Sequence, residues 1–171
     1  MNFYVDGACS GNGTENAQGR FAVIEVSDNN EITYTYSEHS LNTTNNREEL
    51  KAILHVMRYF SIIPENEWDR NIPVVYSDSA YSINTFNDWM FRWAKNDWKK
   101  SNGDTPENLD IISEYYELYQ RGFRIELEKV KGHSGNEWNE IVDKLAKTGL
   151  INAISVEEIK NGMKKIGKTN E

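Results

Sequence analysis

The spacing of apolar residues first changes along this chain at Asn45, and that change limits the possible folds more than any other feature. Before it, residues 2–6 alternate Phe3 and Val5 with polar neighbours and stop at Asp6-Gly7, which reads as a strand ending in a turn. Residues 21–26 and 32–37 read as two further strands joined by Ser27-Asp28-Asn29-Asn30. Three short strands in succession imply an antiparallel meander. After the change, Leu50, Ile53, Leu54, Met57 and Phe60 recur at helical spacing, with Asn45 and Glu48 placed as a capping pair. Pro73 introduces the short apolar strand Val74-Val75-Tyr76-Ser77, and residues 80–100 are helical in character and rich in aromatics. Thr105-Pro106-Glu107 marks another helix start, whose stripe of Leu109, Ile112, Tyr116 and Tyr119 runs to Gly122. Phe123, Ile125 and Leu127 alternate as a strand, and residues 136–147 form a helix with Ile141, Val142 and Leu145 facing inward. The order is β-β-β-α-β-α-α-β-α, an α/β fold with one mixed five-stranded sheet covered by helices.

Composition sets the class. At 171 residues with 38% hydrophobic content, the chain suits one core and needs no disulfide framework. A single cysteine, Cys9, excludes an internal disulfide and a multi-thiolate zinc site. No apolar run approaches the roughly 20 residues of a membrane span, and Met1 leads into strand-like sequence without a signal peptide. The expectation is a cytoplasmic monomer with no membrane association, and the residues imply no protein partner. A net charge of −8 argues mildly against nucleic acid, yet residues 89–100 set Arg92, Lys95, Lys99 and Lys100 against Asp97 alone.

Four carboxylates stand where strands end or helices begin. Asp6 closes the first strand, Glu49 lies in the first turns of the first helix, Asp78 follows Ser77, and Asp143 sits inside the last long helix. In open α/β sheets reactive groups gather at strand ends bordering the crevice. Anions gathered there repel unless cations neutralise them, and oxygen-only ligands select hard ions such as Mg²⁺ or Mn²⁺. Two such ions about 3.5–4 Å apart suit displacement at a phosphodiester. Taken singly, each acid reads as well as solvated surface, turn or cap.

The words around these acids carry a resemblance. Asp6-Gly7-Ala8-Cys9-x-Gly11-Asn12, Thr44-Asn45-Asn46-Arg47-x-Glu49-Leu50, Ser77-Asp78-Ser79 and Val130-Lys131-Gly132-His133-x-Gly135 with Asn139 and Asp143 together resemble type 1 ribonuclease H, in order, from Met1 to about Ala146. The resemblance implies the ribonuclease H-like fold, with three antiparallel strands followed by parallel ones. It also implies a sequence-independent endoribonuclease that cuts the RNA strand of RNA/DNA hybrids, leaving 3′-hydroxyl and 5′-phosphate ends. It makes Asp6, Glu49, Asp78 and Asp143 the catalytic ligands of two Mg²⁺ ions, with Mn²⁺ as a substitute. His133 becomes a mobile-loop histidine assisting proton transfer or product release. His39 and His55 fall outside every motif and read as structural or solvated.

The same resemblance assigns substrate contacts. Cys9, Asn12, Asn45 and Asn46 match minor-groove positions, where amides donate to and accept from the 2′-hydroxyl that separates RNA from DNA. Thr44 and Arg47 resemble a pocket for a DNA-strand phosphate. Ser79 and Asn139 complete the implied substrate-facing set. Trp89, Trp93 and Trp98 with Lys95, Lys99 and Lys100 resemble a basic handle for the DNA strand. Trp89, Lys99 and Lys100 are the expected contacts, and Trp93 is assigned to packing. Simple helix capping is the alternative reading of Thr44, Asn45 and Asn46 and is compatible with those contacts, and small buried filler is an equally good reading of Cys9.

The chain departs from the family pattern at the turn of residues 13–19, at Ala80 where a glutamine often stands, and in the few cations after Lys100. These changes imply weaker substrate affinity with the chemistry intact. Residues 1–150 are expected to form the catalytic domain. Residues 151–171 form a C-terminal extension of one short helix, spaced by Val156, Ile159, Met163 and Ile166, and a polar tail. No separate hybrid-binding domain is expected ahead of Met1. Two alternatives stay open at this point: a non-catalytic hybrid- or RNA-binding module, and an exonuclease or resolvase of the same broad fold.

Overall fold

The computed structural model describes residues 1–64, 72–130 and 137–149. Its elements are β1 (Asn2–Ser10), β2 (Gln18–Val26), β3 (Ile32–Leu41), α1 (Asn45–Ile62), β4 (Val74–Ser77), α2 (Ala80–Asn84), a π-helical turn (Thr85–Trp89), α3 (Met90–Lys95), α4 (Leu109–Gln120), β5 (Glu126–Lys129) and α5 (Glu137–Thr148). The strands form one sheet in the order β3-β2-β1-β4-β5. β1, β2 and β3 pair antiparallel, and β4 joins β1 and β5 in parallel. Among the described residues, no helix is long and apolar enough to cross a membrane.

The two faces of the sheet carry separate apolar clusters. Phe3 and Val5 of β1 and Phe21 and Val23 of β2 point to the face covered by α1, where they meet Leu50, Ile53, Met57, Phe86, Met90 and Ile112. Ala22, Ile24 and Val26 of β2 point the other way, to Trp138, Val142, Leu145 and Ala146 of α5. Residue alternation in a strand forces this division, and it explains the uninterrupted apolar run through the middle of β2. Each fully buried Leu, Ile or Phe contributes about 1.5–3 kcal/mol.

Several boundaries differ from the sequence reading, each for a physical reason. β1 does not stop at Asp6-Gly7: its ladder with β2 continues from Asp6 opposite Ala22 to Ser10 opposite Gln18. Gly7 is needed for close approach, because a Cβ there would lie 2.5 Å from the Glu49 backbone nitrogen and 2.6 Å from the Glu48 carbonyl carbon. The cap of α1 is Thr44, whose hydroxyl accepts from the Arg47 N–H at 3.1 Å, in place of the expected Asn45–Glu48 pair. Glu48 is fully buried, and its Oε1 accepts from the Thr43 hydroxyl at 2.7 Å and from Lys51 at 3.2 Å.

The expected helix over residues 80–100 divides into α2, the π turn and α3, and it ends at Lys95. Asp97 and Trp98 then adopt left-handed backbone, with the Trp98 N–H bonded to the Trp93 carbonyl at 2.7 Å. Helix α4 starts at Leu109 behind a left-handed Asn108, not at Thr105-Pro106-Glu107. Its buried stripe is Ile111, Ile112, Tyr115 and Leu118; Tyr116 and Tyr119 instead meet Phe91, and Tyr116 also meets Trp98. Phe123 and Ile125 pack on the core ahead of the β5 ladder, which begins at Glu126.

His55 proves structural. Its ring stacks on Tyr36 at 4.0 Å and on Tyr34 at 6.1 Å, its Nε2 shares a 2.7 Å hydrogen bond with the Tyr34 hydroxyl, and burial lowers its pKa to about 4. His39 is exposed on β3.

The Gly7 contact gives a direct test. Gly7→Ala is expected to lower the unfolding free energy by about 3 kcal/mol, since the added methyl meets helix backbone that cannot move alone. Urea unfolding monitored by tryptophan fluorescence checks this; a loss under about 0.5 kcal/mol would show that α1 does not rest on β1 at this point.

Candidate active site

Three elements bring the acids together. β1 and β4 run parallel with Phe3 opposite Val75 and Tyr4 opposite Tyr76, so Asp6 and Asp78 lie at neighbouring positions along the same end of the sheet. The close packing of α1 on Gly7 brings Glu49 over Asp6. One oxygen from each of Asp6, Glu49 and Asp78 lies within 4.8 Å of the other two. Asp143 on α5 reaches Asp6 through a side-chain hydrogen bond. Four acids separated by as many as 137 residues of chain thus share one neighbourhood.

The pocket is buried and anionic. Asp6 is 4% exposed and Glu49 9%. Desolvation raises the pKa of Asp6 far above the carboxylate range, helped by the charges of Glu49 and Asp78 and by hydrogen bonds to Asp143 and Glu49. Glu49 is raised as well, first by desolvation and then by the Asp78 charge, while bonds from Asp6 and the Gly7 N–H oppose the shift. Glu49 Oε2 is buried without a hydrogen-bond partner among the described residues. An orphaned carboxylate oxygen on one of three clustered acids fits a hard divalent cation, which would satisfy the lone pairs and cancel the repulsion. Lys147 approaches from α5, bonded to Asp143 at 2.9 Å one helical turn away.

The remaining predicted residues fall into three groups. Near the acids, half-exposed Cys9 donates weakly to the Thr43 carbonyl at 3.5 Å, which removes the buried-filler reading. Asn12 and Asn46 are exposed, and Asn12 Oδ1 accepts from the exposed Asn45 N–H at 3.2 Å. Thr44 caps α1 and Ser79 caps α2, the latter accepting from the Ser82 N–H at 3.1 Å. Asn139 is buried at the start of α5, one turn before Asp143. Arg47 is held in a bidentate bond with Asp110, at 3.0 and 2.6 Å, and bonds Asn108 at 3.3 Å.

On the handle, Trp93 and Trp98 pack against the main core. Trp89 is half-buried and, among the described residues, its ring meets Tyr81 edge-on at 6.0 Å and Trp93 tilted at 6.1 Å. Lys99 is exposed and Lys100 half-buried. His133, with Gly132 and Gly135, lies outside the described residues. Sequence reasoning missed Lys147 and the buried Glu48. Lys147 was findable from its i+4 spacing to Asp143, whereas nothing local marks Glu48 as buried.

The sequence model of the family described as RNase H matches residues 1–151. A Ribonuclease H of Caldanaerobacter subterraneus subsp. tengcongensis is 39% identical over 148 residues, 85% of this chain and 88% of its own. A Ribonuclease HI of Haemophilus influenzae is 36% identical over 152 residues, covering 89% and 90%. Among solved structures, LC9-RNase H1, described as a type 1 RNase H with the type 2 active-site motif, superposes with a TM-score of 0.67 at 27% identity, over 86% of this chain and 70% of that one.

The acid cluster makes a prediction about stability without metal. A carboxyl whose folded pKa is raised favours folding fully below its unfolded pKa, near 4, and that contribution is lost as pH rises through the folded value. Asp6→Asn is therefore expected to raise Tm by about 3 °C or more at pH 8 in EDTA, and to give no gain at pH 4. Millimolar Mg²⁺ or Mn²⁺ raises the wild-type Tm at pH 8 toward that of the variant. Differential scanning calorimetry decides: an Asn variant less stable than wild type at pH 8 without metal would mean the acids do not repel.

Proposed function

Since the chain belongs to the RNase H family, we propose that it is a metal-dependent endonuclease that hydrolyses the RNA strand of RNA/DNA hybrids without reading sequence, leaving 3′-hydroxyl and 5′-phosphate ends. The observation that carries this reading is the convergence of Asp6, Glu49 and Asp78 on one point, with Asp143 bonded to Asp6. A carboxylate trio with Asp6 and Glu49 buried and Asp78 half-buried has no stabilising role of its own, since desolvation and mutual repulsion both oppose it.

Asp6, Glu49, Asp78 and Asp143 are the residues assigned to hold the ions, two Mg²⁺ with Mn²⁺ as substitute. Asp6 is assigned to both, Glu49 and Asp78 to one, and Asp143 to the other. When bound, such ions polarise a phosphoryl oxygen and support the departing 3′ oxygen. The protein's own part is positioning. Gly7 sets the height of Glu49 above Asp6, the β1–β4 register aligns Asp78, and Lys147 steadies Asp143. His133 is assigned to proton transfer or product release.

Cys9, Asn12, Asn45 and Asn46 are assigned to the minor groove, where the exposed amides of Asn12 and Asn46 suit the 2′-hydroxyl. Thr44 and Arg47 are assigned to a DNA-strand phosphate, with Asp110 fixing the guanidinium plane. Ser79 and Asn139 complete the substrate-facing set. Trp89, Lys99 and Lys100 are assigned to the handle contact, a half-buried ring and two cations suited to deoxyribose and phosphate. The catalytic unit is residues 1–150, supported by a family match that ends at 151, and residues 151–171 are an extension. A monomer in the cytoplasm is the proposed state.

Cleavage of an end-labelled hybrid is the test. Wild type is expected to cut the RNA strand with Mg²⁺, to stop in EDTA, and to spare duplex DNA and duplex RNA. Asp78→Asn is expected to lower kcat at least about a thousandfold while remaining folded; wild-type turnover by that variant would refute the assignment. For the handle, Trp89→Ala and Lys99→Ala/Lys100→Ala are expected to raise KM roughly tenfold, and the lysine pair to reduce the salt slope by about 2. Unchanged KM and salt dependence would return these side chains to packing alone.

A further inference from the structure

On the α5 face, the end of the sheet opens into a cleft of about 360 Å³ that the assignments above leave unexplained. Its floor is a row of residues across three strands: Ala8 of β1 pairs with Arg20 of β2, and Arg20 pairs with His39 of β3. Ala22, Ile24 and Val26 of β2 lie beneath α5, so strand alternation turns Arg20 to that same face. Ala8 contributes only a methyl to the row and leaves it open. Ala146 and Lys147 of α5 form a wall, and Asp143 lines both this cleft and the acid pocket.

The charges here run against those of the chain. In a protein of net charge −8, Arg20, His39 and Lys147 line one concave surface. Lys147 is neutralised by Asp143 and His39 meets Gln18 at 3.4 Å. The Arg20 side chain has no hydrogen bond or ion pair with any described residue. Its guanidinium lies against Gly149, just past the end of α5, in space that any side chain at that position would fill. A cation beside a helix C-terminus is favourable by itself, but that position employs few of the five N–H donors of a guanidinium. A half-buried, unpaired guanidinium in a concave site calls for an anion with several oxygens.

We infer that this cleft seats a backbone phosphate of the RNA strand next to the scissile bond, gripped by Arg20 with His39 and Lys147 beside it. The inference rests on the hybrid-cleaving reading. It selects the RNA strand because the cleft continues directly from the cutting site through Gly7 and Asp143, and Cys9 and Asn45 border it. The handle, by contrast, follows Phe86 and Met90 on the opposite face of the sheet. The two strands of the hybrid are thus gripped from opposite faces, with the carboxylates between them.

Steady-state cleavage by the full chain tests this. Arg20→Ala is expected to raise KM for the hybrid roughly tenfold and lower the salt slope by about 1, with kcat within about twofold of wild type; Arg20→Lys restores most of the affinity. A neutral methylphosphonate at one RNA-strand linkage near the cut is expected to abolish the difference between wild type and Arg20→Ala, as in a double-mutant cycle, while DNA-strand replacements preserve it. Unaltered KM and salt slope in Arg20→Ala overturn the inference, as does a lowered Tm with normal KM, which would leave Arg20 as a helix-end contact. A difference abolished by a DNA-strand linkage also overturns it. If wild type fails to cut the hybrid at all, the functional reading itself falls, an outcome separable from these.

Discussion

Helix α1 touches the centre of the sheet at a residue without a side chain, and the geometry of the acid pocket follows from that contact. Glu49 sits over Asp6 because nothing at Gly7 holds the helix off, and the Gly7 N–H in turn donates to the Glu49 carboxylate. Gly19 on β2 repeats the arrangement, since a Cβ there would collide with Thr43 and crowd Glu48. Two side-chain-free positions on adjacent strands therefore let the first turn of one helix settle into the sheet. The apolar face of α1, from Leu50 to Phe60, supplies the energy that holds it there.

That energy is opposed locally by charge. Asp6 and Glu49 have pKa values raised first by burial and then by neighbouring charge, that of Glu49 on Asp6 and that of Asp78 on Glu49, and Glu48 lies fully buried one residue away with one oxygen unsatisfied. The fold supports this concentration of acid because the rest of the core is large and conventional, spread over both faces of the sheet. A divalent cation reverses the sign of the interaction, so the feature that weakens the metal-free protein is the one that would bind metal tightly.

The sequence made the architecture legible wherever side-chain periodicity decides structure. The meander, the period change at Asn45, the Val74–Ser77 strand and the position of Asp143 inside α5 are all visible because burial on one face imposes a repeat. It misled where long-range packing overrides local chemistry. Asp6-Gly7 resembles a turn because the reason for the glycine is a helix about 40 residues away. The capping role passes from Asn45 to Thr44 because Glu48 is drawn inward by Thr43 and Lys51. The π turn at Thr85–Trp89 has no composition of its own, yet it shifts the facing of the aromatics around it. The four carboxylates were recognisable through the words surrounding them, whereas Arg20 stood in no word and emerged only from its cross-strand neighbours.

The stack of Tyr34, His55 and Tyr36 has a consequence for behaviour in acid. β3 is an edge strand, and its grip on α1 includes an imidazole that folding keeps neutral. That contribution is complete above about pH 6.5 and fades as pH falls toward 4. Protonation therefore loosens the sheet first at its border, where a ten-residue strand would expose unpaired amides and a row of tyrosines. Such a border is a template for neighbouring chains, so mild acid would promote self-association of this protein before its centre unfolds.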